Sequence, residues 1–218
     1  ERSAGGRLLR ELKLETPIRY ASGDPVEKWL HGLLCLDATS QAPVLRKGCP
    51  HPSQCDLYYV DRDTLFSYHR AAEDFLQSLM ALYVASHYKN SPNDLQLLSD
   101  APAHQLFVLL GPVDESDPTA TPDILCVLQV SLEGRISKDH MMSQLSRGKT
   151  ASGDLIPWTI SQQFQDAEFG ELSGARVVRI ATHPDVTRMG YGARALDLLG
   201  KYFAGQLAAV DEGPGQTA

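Results

Sequence analysis

The chain has 218 residues, 43% of them hydrophobic, and a formal net charge of -7. That length supports a sizeable core in one domain with decoration. The acidic balance argues against a stand-alone nucleic-acid binder, which carries a basic surface, but leaves open an enzyme domain whose neighbours hold the nucleic acid. No apolar run reaches membrane-span length and no signal-peptide pattern opens the chain, so no membrane partner is expected. The opening on Glu1 rather than Met reads as a piece of something longer.

Residues 1–23 are polar, with Leu12, Leu14 and Ile18 as a candidate edge strand. Asp24-Pro25-Val26-Glu27 predicts a helix start: Asp24 as N-cap, proline at the first helical position, Glu27 reaching back. That helix should bury Trp29, Leu30, Leu33 and Leu34. A loop from Thr39 to Gln54 comes next. Cys49, His51 and Cys55 in GCPHPSQC match no standard zinc spacing and lack a fourth ligand, so a proline-stiffened loop is preferred and no metal is assigned. Cys35 and Cys126 lie in apolar runs and read as buried, reduced thiols, pointing to a cytosolic or nuclear compartment rather than a secreted one.

Leu57–Val60 reads as a short strand. Asp61 or Asp63 then caps one long helix with an apolar stripe of Leu65, Phe66, Ala72, Phe75, Leu76, Leu79, Met80, Leu82 and Tyr83. It ends near His87-Tyr88-Lys89-Asn90, and Ser91-Pro92 opens the next helix. His87 to Asn90 therefore occupy a polar junction between helices. Gln105–Leu110 and Ile124–Leu132 predict an antiparallel hairpin around a loop rich in proline and acids. Ser137 to Arg147 reads as a helix. Gly148 to Pro157 is a loop with Arg147 and Lys149 at a basic lip, and Trp158, Ile160, Phe164 and Phe169 should supply packing for the segment after it.

Gly174 to Phe203 combines a strand, a glycine loop and a helix. Val177, Val178 and Ile180 suggest a strand buried on both faces, closed by Pro184. Ala195, Leu196, Leu198, Leu199, Tyr202 and Phe203 recur at helical spacing. Such a loop presents free N–H groups and a helix dipole to an anion. Four readings compete for the pattern. A Rossmann fingerprint lacks its third glycine after Gly190-Tyr191-Gly192. A Walker loop ending at Gly148-Lys149-Thr150 has Ser143 where its first glycine belongs. A plain strand–turn–helix connection needs no ligand. The last is the (Q/R)-x-x-G-x-(G/A) acetyl-CoA loop, here Thr187-Arg188-Met189-Gly190-Tyr191-Gly192, with Thr187 departing from the opening Gln/Arg.

Three longer stretches, YVASHYKNSPNDLQLLSDAPAH (Tyr83–His104), SRGKTASGDLIPWTISQQFQD (Ser146–Asp166) and GARVVRIATHPDVTRMGYGARAL (Gly174–Leu196), closely resemble the eukaryotic RNA cytidine acetyltransferases, a nucleolar helicase–acetyltransferase family. IRYASGDPVEKWL and YYVDRDTLFSYH extend the resemblance. It implies an α/β (α+β) fold: a GCN5-related N-acetyltransferase-like mixed sheet flanked by helices. The family's fold continues through a further strand and helix, which this chain is expected to lack. The implied organisation is an N-terminal helical and loop extension packed on the core over 1–55, a partial acetyltransferase core over 56–205, and a flexible tail over 206–218.

The resemblance further implies acetyl transfer from acetyl-CoA to the exocyclic amine of cytidine, in small-subunit rRNA and some tRNAs. It places the protein in the nucleus and nucleolus, with adaptor proteins as candidate partners. A helicase-like module binding ATP and an RNA-binding region are expected outside these residues. Ile180, Ala181 and Thr182 should offer backbone groups to the pantetheine arm, and the amides of Thr187, Arg188, Met189, Gly190, Tyr191, Gly192 and Ala193 should hold the pyrophosphate. The exocyclic amine is a poor nucleophile and needs positioning, a base, and stabilisation of charge on the acyl oxygen. His87, at the polar junction and titrating near neutrality, is the candidate base; capping its helix is the plainer role. His183 is read as structural. Arg179 is a candidate for phosphate or RNA contacts, whereas Arg194 is preferred as a solvated charge and Trp158 as core rather than a stacking platform. A non-catalytic scaffold in ribosome biogenesis and a generic N-acetyltransferase are the competing functions.

Overall fold

The computed structural model describes residues 2–4, 7–12, 14, 16–36, 38, 45, 48–86, 92–112, 122–149 and 151–207. The chain divides into two compact units, residues 1–37 and 38–218.

In the smaller unit, strands β1 (Arg2–Ala4) and β2 (Arg7–Leu9) pair antiparallel, with Ser3 opposite Leu8. Among the described residues of the expected edge strand, Leu12, Leu14 and Ile18 lie in no strand and are exposed. Pro17 has no N–H for a ladder there. Helix α1 (Pro25–Leu33) starts as predicted: Asp24 accepts from the amides of Val26 (2.8 Å) and Glu27 (3.3 Å). Its apolar face is less buried than expected, with Trp29 and Leu33 exposed.

The larger unit is built on a four-stranded antiparallel sheet in the order β3 (Asp56–Tyr59), β4, β5, β6. A proline-led 3₁₀ turn at Pro52–Gln54 feeds β3. Beyond β3, the expected single helix is broken. Asp61 caps a short α2 (Arg62–Leu65) through Thr64 N (2.7 Å), and α3 (Arg70–Ser86) begins separately. Ser67 turns its hydroxyl onto Thr64 O (2.8 Å) and Tyr68 takes a left-handed φ of 60°, which together interrupt the helix. Helix α4 (Pro92–Asp100) is next. His87, Tyr88, Lys89, Asn90 and the Ser91 cap lie outside the described residues.

The hairpin of β4 (His104–Leu110) and β5 (Ile124–Gly134) forms as predicted, with Phe107 opposite Leu128. Ser137 caps α5 (Lys138–Ser146). Helix α6 (Leu155–Phe164) starts inside the segment predicted as loop and takes Pro157 into its first turn. Trp158 packs with Met141 and Ala167 in a small second core, whereas Phe164 is exposed. β6 (Ser173–Thr182) and α7 (Tyr191–Phe203) complete the described elements.

Strand alternation assigns the two faces of the sheet. Phe107, Leu109, Leu128, Val130 and Ile180 pack against Tyr191, Ala195, Leu198 and Leu199 of α7. Leu196, Tyr202 and Phe203 of the same helix remain partly exposed. Gln129, whose parity is opposite to Leu128, meets α3 by accepting the phenol of Tyr83. β6 is not buried on both faces as expected: Val177, Val178 and Ile180 are half-buried. Among the described residues β6 pairs only with β5, so it is an edge. Its register jumps from Arg179 opposite Gln129 to Val177 opposite Val130, leaving Val178 as the extra residue of a bulge.

Candidate active site

The candidate site lies where β6 ends and α7 begins. His183 N donates to Leu125 O (2.9 Å), directing the backbone groups of His183 toward β5. In an antiparallel ladder the residue two positions back repeats that direction and the intervening residues face away. Ala181 therefore faces β5, while Ile180 and Thr182 present N–H and C=O groups at the open edge. Of the three residues expected to line the pantetheine arm, two have edge-facing backbone groups and Ala181 has not; its side chain is buried.

Pro184 ends the strand and opens a 3₁₀ turn, Pro184–Val186. His183 is structural, as read: it is 1% exposed, and Nδ1 accepts the amide of Asp185 (3.3 Å). Thr187 Oγ1 donates to Pro184 O (3.2 Å), and the amide of Met189 is taken by Val186 O (3.3 Å). Met189 thus contributes no open amide, contrary to expectation. Arg188 has φ 65° and Gly190 φ 95°, so the chain turns through two left-handed residues before entering the helix. Arg194 N donates to Gly190 O (2.9 Å), the first bond of the helix. Among the described residues, the amides of Gly190, Tyr191, Gly192 and Ala193 have no backbone acceptor.

These four amides sit at the positive end of a 13-residue helix. Gly192 faces β6 so closely that a Cβ on it would lie 3.3 Å from Thr182 Oγ1 and 3.9 Å from Ile180 Cδ1. The helix start and the strand edge are therefore continuous walls of one cradle. Thr187, Arg188, Met189, Gly190 and Ala193 are exposed along its mouth, whereas the Tyr191 side chain is buried and points away from it. The arrangement suits a diphosphate at the helix and an extended amide-bearing chain at the strand.

Behind the cradle, on the α3 side of β6, lies a polar network that the sequence reading missed. Gln129 accepts the Tyr83 phenol, and its Nε2 donates to His104 Nδ1 (2.8 Å). Arg179 lies over the Tyr83 ring at 4.9 Å and pairs with Asp94 at 2.5 Å. Arg179, expected as a phosphate or RNA contact, thus has internal partners. Burial pushes the Tyr83 phenol up despite the opposing charge of Arg179. Burial, then Arg176 and Arg62, push His104 down. The signal that would have found the network is Gln129 itself, an amide in the otherwise apolar run ILCVLQV.

Arg194 is held by protein rather than left solvated: Nε donates to Cys55 O (3.2 Å), with Asp56 and Asp197 nearby at 3.8 and 3.7 Å. Trp158 is buried and Lys149 is exposed. His51 uses Nδ1 to accept Ser53 N (3.3 Å) while Cys55 is buried, which fits a proline-stiffened turn. His87 lies outside the described residues.

Residues 78–217, which include the strand, loop and helix of this cradle, match the family described as GNAT acetyltransferase 2. The chain belongs to the GNAT acetyltransferase 2 family.

The GNAT acetyltransferase 2 match leaves out the N-terminal unit. Residues 2–37 instead match a family described as RNA cytidine acetyltransferase NAT10/TcmA, helicase domain. That span coincides with the smaller compact unit, residues 1–37. The expectation that the helicase-like module lies wholly outside the chain is corrected over these residues. Among similar proteins, an RNA cytidine acetyltransferase of Achlya ambisexualis is 68% identical over 209 residues, covering 95% of this chain and 56% of the relative. Those of Saccharomyces cerevisiae and Homo sapiens are each 62% identical, covering 94% and 97% of this chain and 20% of each relative. The chain thus spans between a fifth and just over half of the length of these relatives.

Proposed function

We propose that this chain carries the acetyl-transfer site of an RNA cytidine acetyltransferase, taking acetyl-CoA as donor and the exocyclic amine of cytidine in rRNA or tRNA as acceptor. The observation that carries the reading is the set of open amides at Gly190–Ala193 directly beside the edge-facing backbone of Ile180 and Thr182. A diphosphate and a pantetheine amide chain, joined in one molecule, match these two walls in order. The names of the relatives support cytidine in RNA as the acceptor.

Bound there, acetyl-CoA supplies an acetyl group activated as a thioester. The amides of Gly190 to Ala193 hold the diphosphate, and the edge groups of Ile180 and Thr182 orient the chain leading to the thioester. In the transfer the amine nitrogen would form the new C–N bond as the C–S bond breaks, the nitrogen giving up one proton and the CoA sulfur leaving as a thiolate that takes one up. His87 is the residue proposed to accept that proton, from its place in the polar stretch before Pro92. Helicase-type ATP binding, RNA-holding domains and a nucleolar setting belong to the same reading.

Two measurements test it. Acetyl-CoA titrated calorimetrically into the chain should bind with one site, and Gly190→Glu should abolish the heat. In a full-length protein carrying this sequence, mass spectrometry should detect acetylated cytidine, lost with Gly190→Glu and with His87→Ala. Absence of acetyl-CoA binding by the wild-type full-length protein would leave the scaffold reading in its place.

A further inference from the structure

The first turn of α7 is gripped by a segment that precedes it by well over a hundred residues and lies outside the matched acetyltransferase region of 78–217. The Tyr191 phenol donates to Pro50 O at 2.6 Å, from a side chain only 1% exposed. Three residues later, and so on the same face of the helix, Arg194 Nε donates to Cys55 O at 3.2 Å. Arg194 also faces Asp56, with Nη2 3.8 Å from Oδ1. Between the two grips, the Cβ direction of Gly190 meets Pro52 Cγ at 3.6 Å. The gripping segment is itself stiff: Pro52 opens the 3₁₀ turn, His51 and Gln54 close its capping box, and Cys55 is fully buried.

We propose that Pro50–Asp56 is a brace that sets the diphosphate-binding turn, with Tyr191 and Arg194 as the positioning residues that fasten it. The inference rests on the acetyl-CoA reading above. Four amides hold one anion well only if they converge before it arrives; a turn left to find that shape on binding loses affinity to ordering. Gly190 supplies the left-handed residue but no rigidity, since glycine is the least restricted residue. Rigidity must come from outside the loop, and both fastenings end on backbone carbonyls of one short segment, at half-buried Pro50 and fully buried Cys55. Neither side chain contributes a group to the cradle, so their effect is on its shape.

The brace acts on the diphosphate end alone, which makes it separable from general stability. Full-length protein would be prepared as wild type, Tyr191→Phe, Arg194→Gln and the double variant. Each is titrated calorimetrically with acetyl-CoA and assayed with acetyl-CoA or S-acetylpantetheine, which has no diphosphate, as donor. Loss of one hydrogen bond in this setting predicts about fivefold weaker acetyl-CoA binding for Tyr191→Phe, and about tenfold or more for the double variant. The KM for acetyl-CoA should rise by the same factors, and the rate with S-acetylpantetheine, which makes no diphosphate contact, should fall by less. Variants that bind acetyl-CoA like wild type, or that lose both donors equally, overturn the brace. A wild type that binds no acetyl-CoA overturns the functional reading and the brace with it. Should Tyr191→Phe prove too unstable to assay, Arg194→Gln, at a partly exposed guanidinium, is judged alone by the same criteria.

Discussion

Gly192 and Thr182 face one another across the junction of helix and strand, with room for a hydrogen but barely for a methyl group: a Cβ on Gly192 would lie 3.3 Å from Thr182 Oγ1. This contact joins the turn proposed to hold the diphosphate to the sheet edge. Overfilling a fitted contact costs about 1–3 kcal/mol. Gly192→Ala should therefore weaken acetyl-CoA binding by about fivefold or more. Adding Thr182→Ala removes the opposing oxygen and should restore most of the loss. Calorimetry on the single and double variants checks this; a double variant no better than Gly192→Ala would refute the contact as the cause.

Gly134 ends the pairing of β5 with β6, opposite Ser173, at a φ of 96°. A Cβ there would lie 1.8 Å from the carbonyl oxygen of Leu172, a backbone atom that cannot rotate aside. Gly134→Ala should cost about 3 kcal/mol or more through strain and displaced backbone. Gly174, directly across from Glu133, has nothing within 4 Å of its Cβ direction. Gly174→Ala should be close to neutral, and urea unfolding of the two variants makes the comparison.

Glu133 is a buried carboxylate whose side chain is 3% exposed; it accepts from Arg176 Nε at 2.6 Å and from Ile156 N at 3.0 Å. Burial by itself would raise its pKa, but the Arg176 hydrogen bond, the helix amides and the Arg176 charge together bring it below the ordinary glutamate value. A carboxyl depressed in the folded state stabilises above its unfolded pKa of about 4.3, and that contribution disappears as pH falls through the folded value. Glu133→Gln should lose about 2–3 kcal/mol at neutral pH, because the amide keeps a single acceptor oxygen for the two donors Arg176 Nε and Ile156 N and removes the charge facing Arg176. The variant's stability should also depend less on pH below about 4.5; denaturant melts from pH 7 to 3 would show it.

Gln129 links Tyr83 and His104, accepting from one and donating to the other. Tyr83→Phe leaves the Gln129 carbonyl without its phenol in a buried site and should cost about 1–3 kcal/mol. His104 receives the amide hydrogen at Nδ1, so protonation there breaks the bond. Its pKa is lowered by burial first and then by Arg176 and Arg62, with Glu133 opposing. An unfolded histidine takes up its proton near pH 6.5, before the folded one does. The network's contribution is thus complete above that value and declines as pH falls through the lower folded pKa. Melting temperatures of wild type should fall between pH 7 and 5 more steeply than those of His104→Gln; parallel curves would refute the assignment.

Local signals were legible wherever one residue's chemistry decides local geometry. Asp24 caps its helix as read, a helix forms at Lys138–Ser146 within the predicted span, the β4–β5 hairpin forms with strands close to their predicted bounds, and Gly190 begins α7. The misreadings share a cause: periodicity describes a face without saying what covers it. Trp29 and Leu33 have helical spacing but stay exposed, and Val177–Ile180 looked like a central strand because β-branched runs suit edge and centre alike. The break at Tyr68 escaped because the apolar stripe continues across it.

The sequence alone determined the unit that carries the site, a strand, a left-handed glycine turn and a helix start, because backbone freedom and periodicity over some thirty consecutive residues suffice for it. It also carried enough unbroken similarity to place the chain among the GNAT acetyltransferases. Only the tertiary structure decided which groups in that unit are available. The ladder to β5 turns Ala181 inward and leaves Ile180 and Thr182 at the edge, since that choice depends on register with Leu125 rather than on residue type. Likewise, Tyr191 and Arg194 find Pro50 and Cys55 across a separation that no local pattern spans. What a backbone group or a buried hydroxyl can do is set by its partner, and partners distant in sequence are brought together only by folding.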